Sequence, residues 1–91
     1  MAKVILTAEV KDAKAWKKSF RTHADLFKAN GIRKIEYTVT SKNLAVMCTE
    51  VDDVDAYLTF VSSEETREAM KGDKVKRKTV KVYVLDEELS C

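Results

Sequence analysis

The chain of 91 residues contains no proline, two glycines, two cysteines and a single histidine. Most of these scarcities remove a class of chemistry. Gly31 and Gly72 alone cannot build a glycine-rich phosphate loop, a dinucleotide fingerprint or a G-x-S-x-G elbow. Cys48 and Cys91 lie far apart, one in an expected strand and one at the terminus. They form no disulfide framework and suit a reducing compartment, Cys48 as a small buried apolar residue and Cys91 as an exposed thiol. One histidine and two distant cysteines cannot make a zinc site of familiar spacing. The Asp52-Asp53-Val54-Asp55 run lacks the glycine and distal glutamate of a calcium loop and reads as helix capping. No metal or cofactor is expected.

Long apolar runs are missing too. None approaches the ~18–20 residues that span a bilayer, and Val4–Ala8 is shorter than a secretory h-region and runs into Glu9. No membrane partner is expected, and a cytoplasmic location follows by default. A net charge of +2 does not by itself imply a polyanion partner. The basic run Lys71, Lys74, Lys76, Arg77, Lys78 and Lys81 is the strongest argument for nucleic acid. It is not met by aromatics on the expected first and third strands, where bases would stack, so it reads as a solvated edge. The pairs Glu64-Glu65 and Glu87-Glu88 fall on polar segments and lack the desolvation that acid/base work needs.

What is present is globular: 45% hydrophobic and 35% charged residues, enough for one domain over residues 1–86 with a tail at 87–91. A chain this short buries only about 60–65% of its unfolded surface, so dimerisation would help it. Residues 3–10 alternate as a strand, with Val4, Leu6, Ala8 and Val10 on one face. Asp12 caps a helix that runs to about Ala29 and stops at Asn30-Gly31. Strands at about Ile32–Thr40 and Leu44–Val51 form a hairpin through Ser41-Lys42-Asn43. Asp52 and Asp53 cap a second helix with Val54, Tyr57, Leu58 and Val61 inward, and Ser62 with Glu65 has the spacing of a capping box. A third helix spans about Glu64–Lys71. The last strand runs from about Val75 to Leu85, with Val80, Val82 and Val84 inward.

The order β-α-β-β-α-β predicts an α+β, ferredoxin-like fold: a four-stranded antiparallel sheet, both helices on one face, and the second and fourth strands at the edges. The open face is expected to carry Ile5, Thr7, Ala45, Met47, Thr49, Val51, Tyr83 and Leu85, diluted by Glu9, Lys34, Glu36 and Lys81. A face this apolar predicts a homodimer through the outer sheet surface.

Trp16, Phe20, His23 and Phe27 fall within an arc of roughly 60° on the first helix. An imidazole in such a stripe is either a satisfied core residue or a pocket group. The pocket reading makes His23 the catalytic candidate, a base or a ligand's hydrogen-bond partner near neutral pH. Trp16, Phe20 and Phe27 would wall the pocket, and Tyr37, Tyr57 and Tyr83 could offer hydroxyls. The ligand would be small and apolar or aromatic.

Trp16-x3-Phe20-x2-His23, Gly31-Ile32, Tyr57-Leu58-x-Phe60-x-Ser62 and Glu68-Ala69-Met70 resemble the small proteins of the dimeric α/β-barrel superfamily, those related to the antibiotic-biosynthesis monooxygenase type. The resemblance implies two sheets packed face to face in a homodimer, with ligands between helices and sheet. It spans cofactor-free monooxygenases, haem-degrading enzymes, isomerases and proteins without known activity. The monooxygenase type relies on an asparagine and a tryptophan. Trp16 is a counterpart of the second, and the first strand contains no asparagine. For haem, His23 would be the only imidazole ligand. The leading expectation is a small-molecule-binding homodimer of oxygenase or isomerase kind. The alternative is a structural or protein-interaction module in which His23 belongs to the core.

Overall fold

A computed structural model describes residues 2–91. Strand β1 (Ala2–Glu9) is followed by helices α1 (Ala13–Arg21) and α2 (Ala24–Ala29), then by strands β2 (Ile32–Val39) and β3 (Leu44–Val51). Helices α3 (Val54–Val61) and α4 (Glu64–Gly72), a 3₁₀ turn (Arg77–Thr79) and strand β4 (Lys81–Val84) complete the chain. The sheet order is β2-β3-β1-β4 with every pair antiparallel. This is the expected ferredoxin-like topology, with β2 and β4 at the edges. No helix among the described residues is long and apolar enough to cross a membrane.

The caps explain where the helices begin. The Asp12 carboxylate accepts from the Ala15 amide and that of Asp53 from the Ala56 amide, each at 3.1 Å. Helix α4 is capped by Ser63, whose hydroxyl accepts from the Thr66 amide, and not by the expected Ser62. The Ser62 hydroxyl instead donates back to the Leu58 carbonyl, an alternative open to any serine at a helix end. In α3 the buried pair is Tyr57 and Phe60; Leu58, expected inward, is exposed.

Two expected elements are interrupted. The first helix breaks at Thr22-His23: the Thr22 hydroxyl donates to the Ser19 carbonyl, and the His23 amide bonds to the carbonyl three residues back. Those bonds replace the regular four-residue ladder. The last strand is shorter than expected. Val75 makes an isolated bridge to Val10, and the chain then turns away through the 3₁₀ segment. There the Thr79 hydroxyl, not a strand backbone, accepts from the Glu9 amide. Lys76, Arg77 and Lys78 therefore lie around a turn and not along a strand edge.

The register of β3 also corrects the expected sheet faces. Leu6 stands opposite Met47, Val4 opposite Thr49 and Ala8 opposite Ala45. Opposed residues of an antiparallel pair share a face, so Ala45, Met47, Thr49 and Val51 point to the helices and are buried. Both faces of β3 are apolar, so its alternation alone does not choose between them. The open face carries Ile5, Thr7, Leu44, Val46, Cys48 and Tyr83, with Lys3, Glu9, Lys34, Glu36, Glu50 and Lys81 around them. A register shift at Arg33 turns both Ile32 and Ile35 inward.

Candidate functional site

The aromatic stripe survives the break in the first helix. Trp16 stacks on Phe20 with ring centroids 4.6 Å apart, Phe20 lies 5.1 Å from Phe27, and Phe27 meets Phe60 of α3 edge-on at 6.2 Å. Tyr37 of β2 closes the row from below, edge-on to Trp16 and Phe20. Trp16 is 2% exposed and anchors the row in the core.

His23 sits in the break, where its backbone leaves helical geometry, and its side chain meets the end of α4. Its Nε2 lies 3.2 and 3.3 Å from the two carboxylate oxygens of Asp73. The Asp73 side chain is only 6% exposed, and the Ser19 hydroxyl donates a hydrogen bond to the same carboxylate. An ionised carboxylate can only accept, so Nε2 is the donor to it, and in the neutral form of the ring the lone pair is on Nδ1. A buried acid thus sets the tautomer and the orientation of the imidazole, as in hydrolytic triads. Asp73 caps the C-terminus of α4, where the helix dipole disfavours negative charge. Lys74, next in the chain, takes the left-handed conformation (φ 59°) that ends α4 and leads to Val75.

Between helices and sheet lies a cavity of about 70 Å³. Its walls include Trp16, Phe20, Phe27, Met47 and Phe60, and its polar groups are His23, Asp73, Thr49, Tyr57 and Thr66. The volume is that of about two waters and well below the roughly 300–1,000 Å³ of sites for drug-sized ligands. Burial pushes the Tyr57 phenol above its ordinary value of 10.0, and the neighbouring Thr49 hydroxyl offsets part of that rise. Among the described residues no three His, Cys, Asp or Glu side chains converge as a metal site would require.

Of the residues singled out in the sequence, Trp16, Phe20, His23, Phe27 and Tyr57 line the cavity; Tyr37 does not. Tyr37 faces an open groove of about 790 Å³ between the first two helices and β2, where its hydroxyl accepts from Arg21 Nε at 2.9 Å. Tyr83 lies on the open sheet face, 52% exposed, and takes no part in either space. Ser19 and Asp73 were not anticipated. The signal for Asp73 was an acid at the wrong end of a helix, and its partners lie 50 and 54 residues away.

No family model and no curated protein sequence matches the chain. Solved structures do. A candidate antibiotic biosynthesis monooxygenase from Bordetella bronchiseptica superposes with a TM-score of 0.75 at 14% identity, covering 97% of both chains. SnoaB, a cofactor-independent oxygenase from Streptomyces nogalater, gives 0.68 at 13% identity over 98% of this chain and 93% of its own. The ActVA-Orf6 monooxygenase of Streptomyces coelicolor, solved with nanaomycin D, gives 0.68 at 13% identity over 99% and 89%. The class these likenesses define is a fold: the ferredoxin-like architecture of antibiotic-biosynthesis-monooxygenase-type proteins.

Two outcomes test the site's wiring. Asp73→Ala leaves the Ser19 and His23 donors without their acceptor and should lower stability by about 2–4 kcal/mol, against about 1 kcal/mol for Ser19→Ala, read from urea midpoints. Tyr57 keeps its proton longer in the folded than in the unfolded chain, so stability should fall as pH rises past about 10. Tyr57→Phe should flatten that alkaline fall in the same urea assay.

Proposed function

We propose that the chain is a homodimer that binds a small aromatic molecule between its helices and sheet and performs oxygenase-type chemistry without a cofactor. The observation that carries this reading is the cavity itself: apolar and aromatic walls, with one imidazole held by a buried carboxylate at its margin. His23, with Nε2 bonded to Asp73, is the proton acceptor for a hydroxylated aromatic ligand, and Nδ1 is the atom that receives the proton. Similarity in fold to a cofactor-independent oxygenase and to a monooxygenase solved with nanaomycin D supports the reaction class. A ligand larger than two waters requires the side chains around the break to move. Helix α2, six residues long with no buried residue of its own, has little to lose by moving.

The dimer rests on the open sheet face. Ile5, Thr7, Val46 and Cys48 are half-buried there without any covering layer in the monomer. Charged residues surround this apolar centre, which is the anatomy of a protein interface. A second copy is the economical partner, because a two-fold axis presents each patch to itself.

The small cavity volume favours one other reading, in which Ser19, His23 and Asp73 form a structural clasp between α1 and α4. The two readings separate on a single variant. In the ligand-binding protein, 1-naphthol at millimolar concentration shifts the only histidine's ring signals and the only tryptophan's indole N–H in NMR spectra, and His23→Gln weakens that binding with little loss of stability. If neither signal moves and His23→Gln lowers stability by about 2–4 kcal/mol, the clasp reading holds. Light scattering should give a mass of twice 10.3 kDa. Val46→Asp, which puts a charge at the centre of the open face, should return it to the monomer value.

A further inference from the structure

The open groove and the buried cavity share walls. Phe20, Phe27, Ile32 and Ile35 line both, so the partition between them is one side chain thick. The groove brings together Arg21, Lys28, Arg33 and Lys34 with a single acid, Asp52. That acid is taken: its carboxylate accepts from Arg33 Nε at 2.5 Å. Lys34 stands 3.6 Å from Glu36. Arg21 and Lys28 make no ion pair among the described residues. Arg21 is not a loose surface charge, because its Nε–H is held on the Tyr37 hydroxyl. That bond leaves the terminal guanidinium nitrogens free on the groove side of the aromatic row.

We infer that groove and cavity are two halves of one ligand site, divided by the rings of Phe20 and Phe27, and that its ligand is an aromatic carboxylate. This rests on the ligand-binding reading above and adds the chemical class and the anchor. The carboxylate meets the planar fork of Arg21, with Lys28 beside it, a geometry suited to two parallel charge-assisted hydrogen bonds. The ring displaces Phe27 and enters between Trp16 and Tyr57, toward His23. A cationic groove outside an apolar cavity also orders the events: the anion is captured first and the aromatic part follows.

The test compares 2-naphthoate with the neutral isostere 2-naphthamide, using calorimetry for affinity and the Trp16 indole N–H for position. Expected is about tenfold tighter binding of naphthoate, a shifted Trp16 signal, and a loss of that preference at about 0.5 M salt. Arg21→Gln, at an exposed position, should remove the preference, bringing naphthoate down to the affinity of naphthamide. Equal binding of both compounds with the Trp16 shift intact overturns the anionic anchor and leaves the cavity reading standing. Arg21-dependent binding of naphthoate without a Trp16 shift overturns the joined site, since the ligand then stays in the groove. Failure of both compounds to bind overturns this inference and the ligand-binding reading together.

Discussion

A carboxylate placed at the C-terminal end of a helix and then buried has to be met by donors, and Asp73 draws its two from opposite ends of one turn. Ser19 lies in α1 and His23 lies four residues on, past its end, and both reach the same carboxylate. The imidazole at the break meets Asp73 and borders the cavity, and the left-handed residue after Asp73 sends the chain back to bridge Val10. Helix ends, sheet edge and cavity are thereby tied to one charged group. The arrangement concentrates cost as well as stability, because removing any donor leaves a buried acid less well satisfied.

The same contact gives the candidate site its chemistry. An imidazole in an apolar stripe has no reason to prefer one tautomer; against a carboxylate it does, and the basic nitrogen is then defined. The surrounding rings contribute shape and dryness, since Trp16, Phe20, Phe27 and Tyr37 form a continuous row from the core to the open groove. One end of that row is buried with Trp16, and the other reaches a groove where Arg21 and Lys28 stand without acidic partners among the described residues. Polarity therefore changes sharply across one layer of aromatic side chains, which is the condition under which a ligand with one charged and one apolar end finds a defined orientation.

Local rules carried much of the architecture. The alternation of β1, the aspartate caps at residues 12 and 53, Gly31 with its left-handed φ of 78°, and the Ser41–Asn43 turn all act over a few residues and stand where expected. The misread elements share a physical cause. The inward face of β3 is decided by its partners on β1, because both of its faces are apolar. The break at Thr22 is decided by side chains competing with a ladder the sequence otherwise favours. The shortened last strand is decided by Thr79 meeting the Glu9 amide across 70 residues.

The sequence by itself determined the order of elements, the stripe on which His23 lies and the topology of the sheet, since periodicity, capping and connection length are local or nearly local quantities. Tertiary structure alone decided that the stripe's polar member faces an acid from the far end of the chain. It also decided that Tyr37 belongs to an outer groove and that Asp73 matters at all. Those facts concern distances between residues 16 to 54 positions apart, and no pattern along the chain encodes a distance across it.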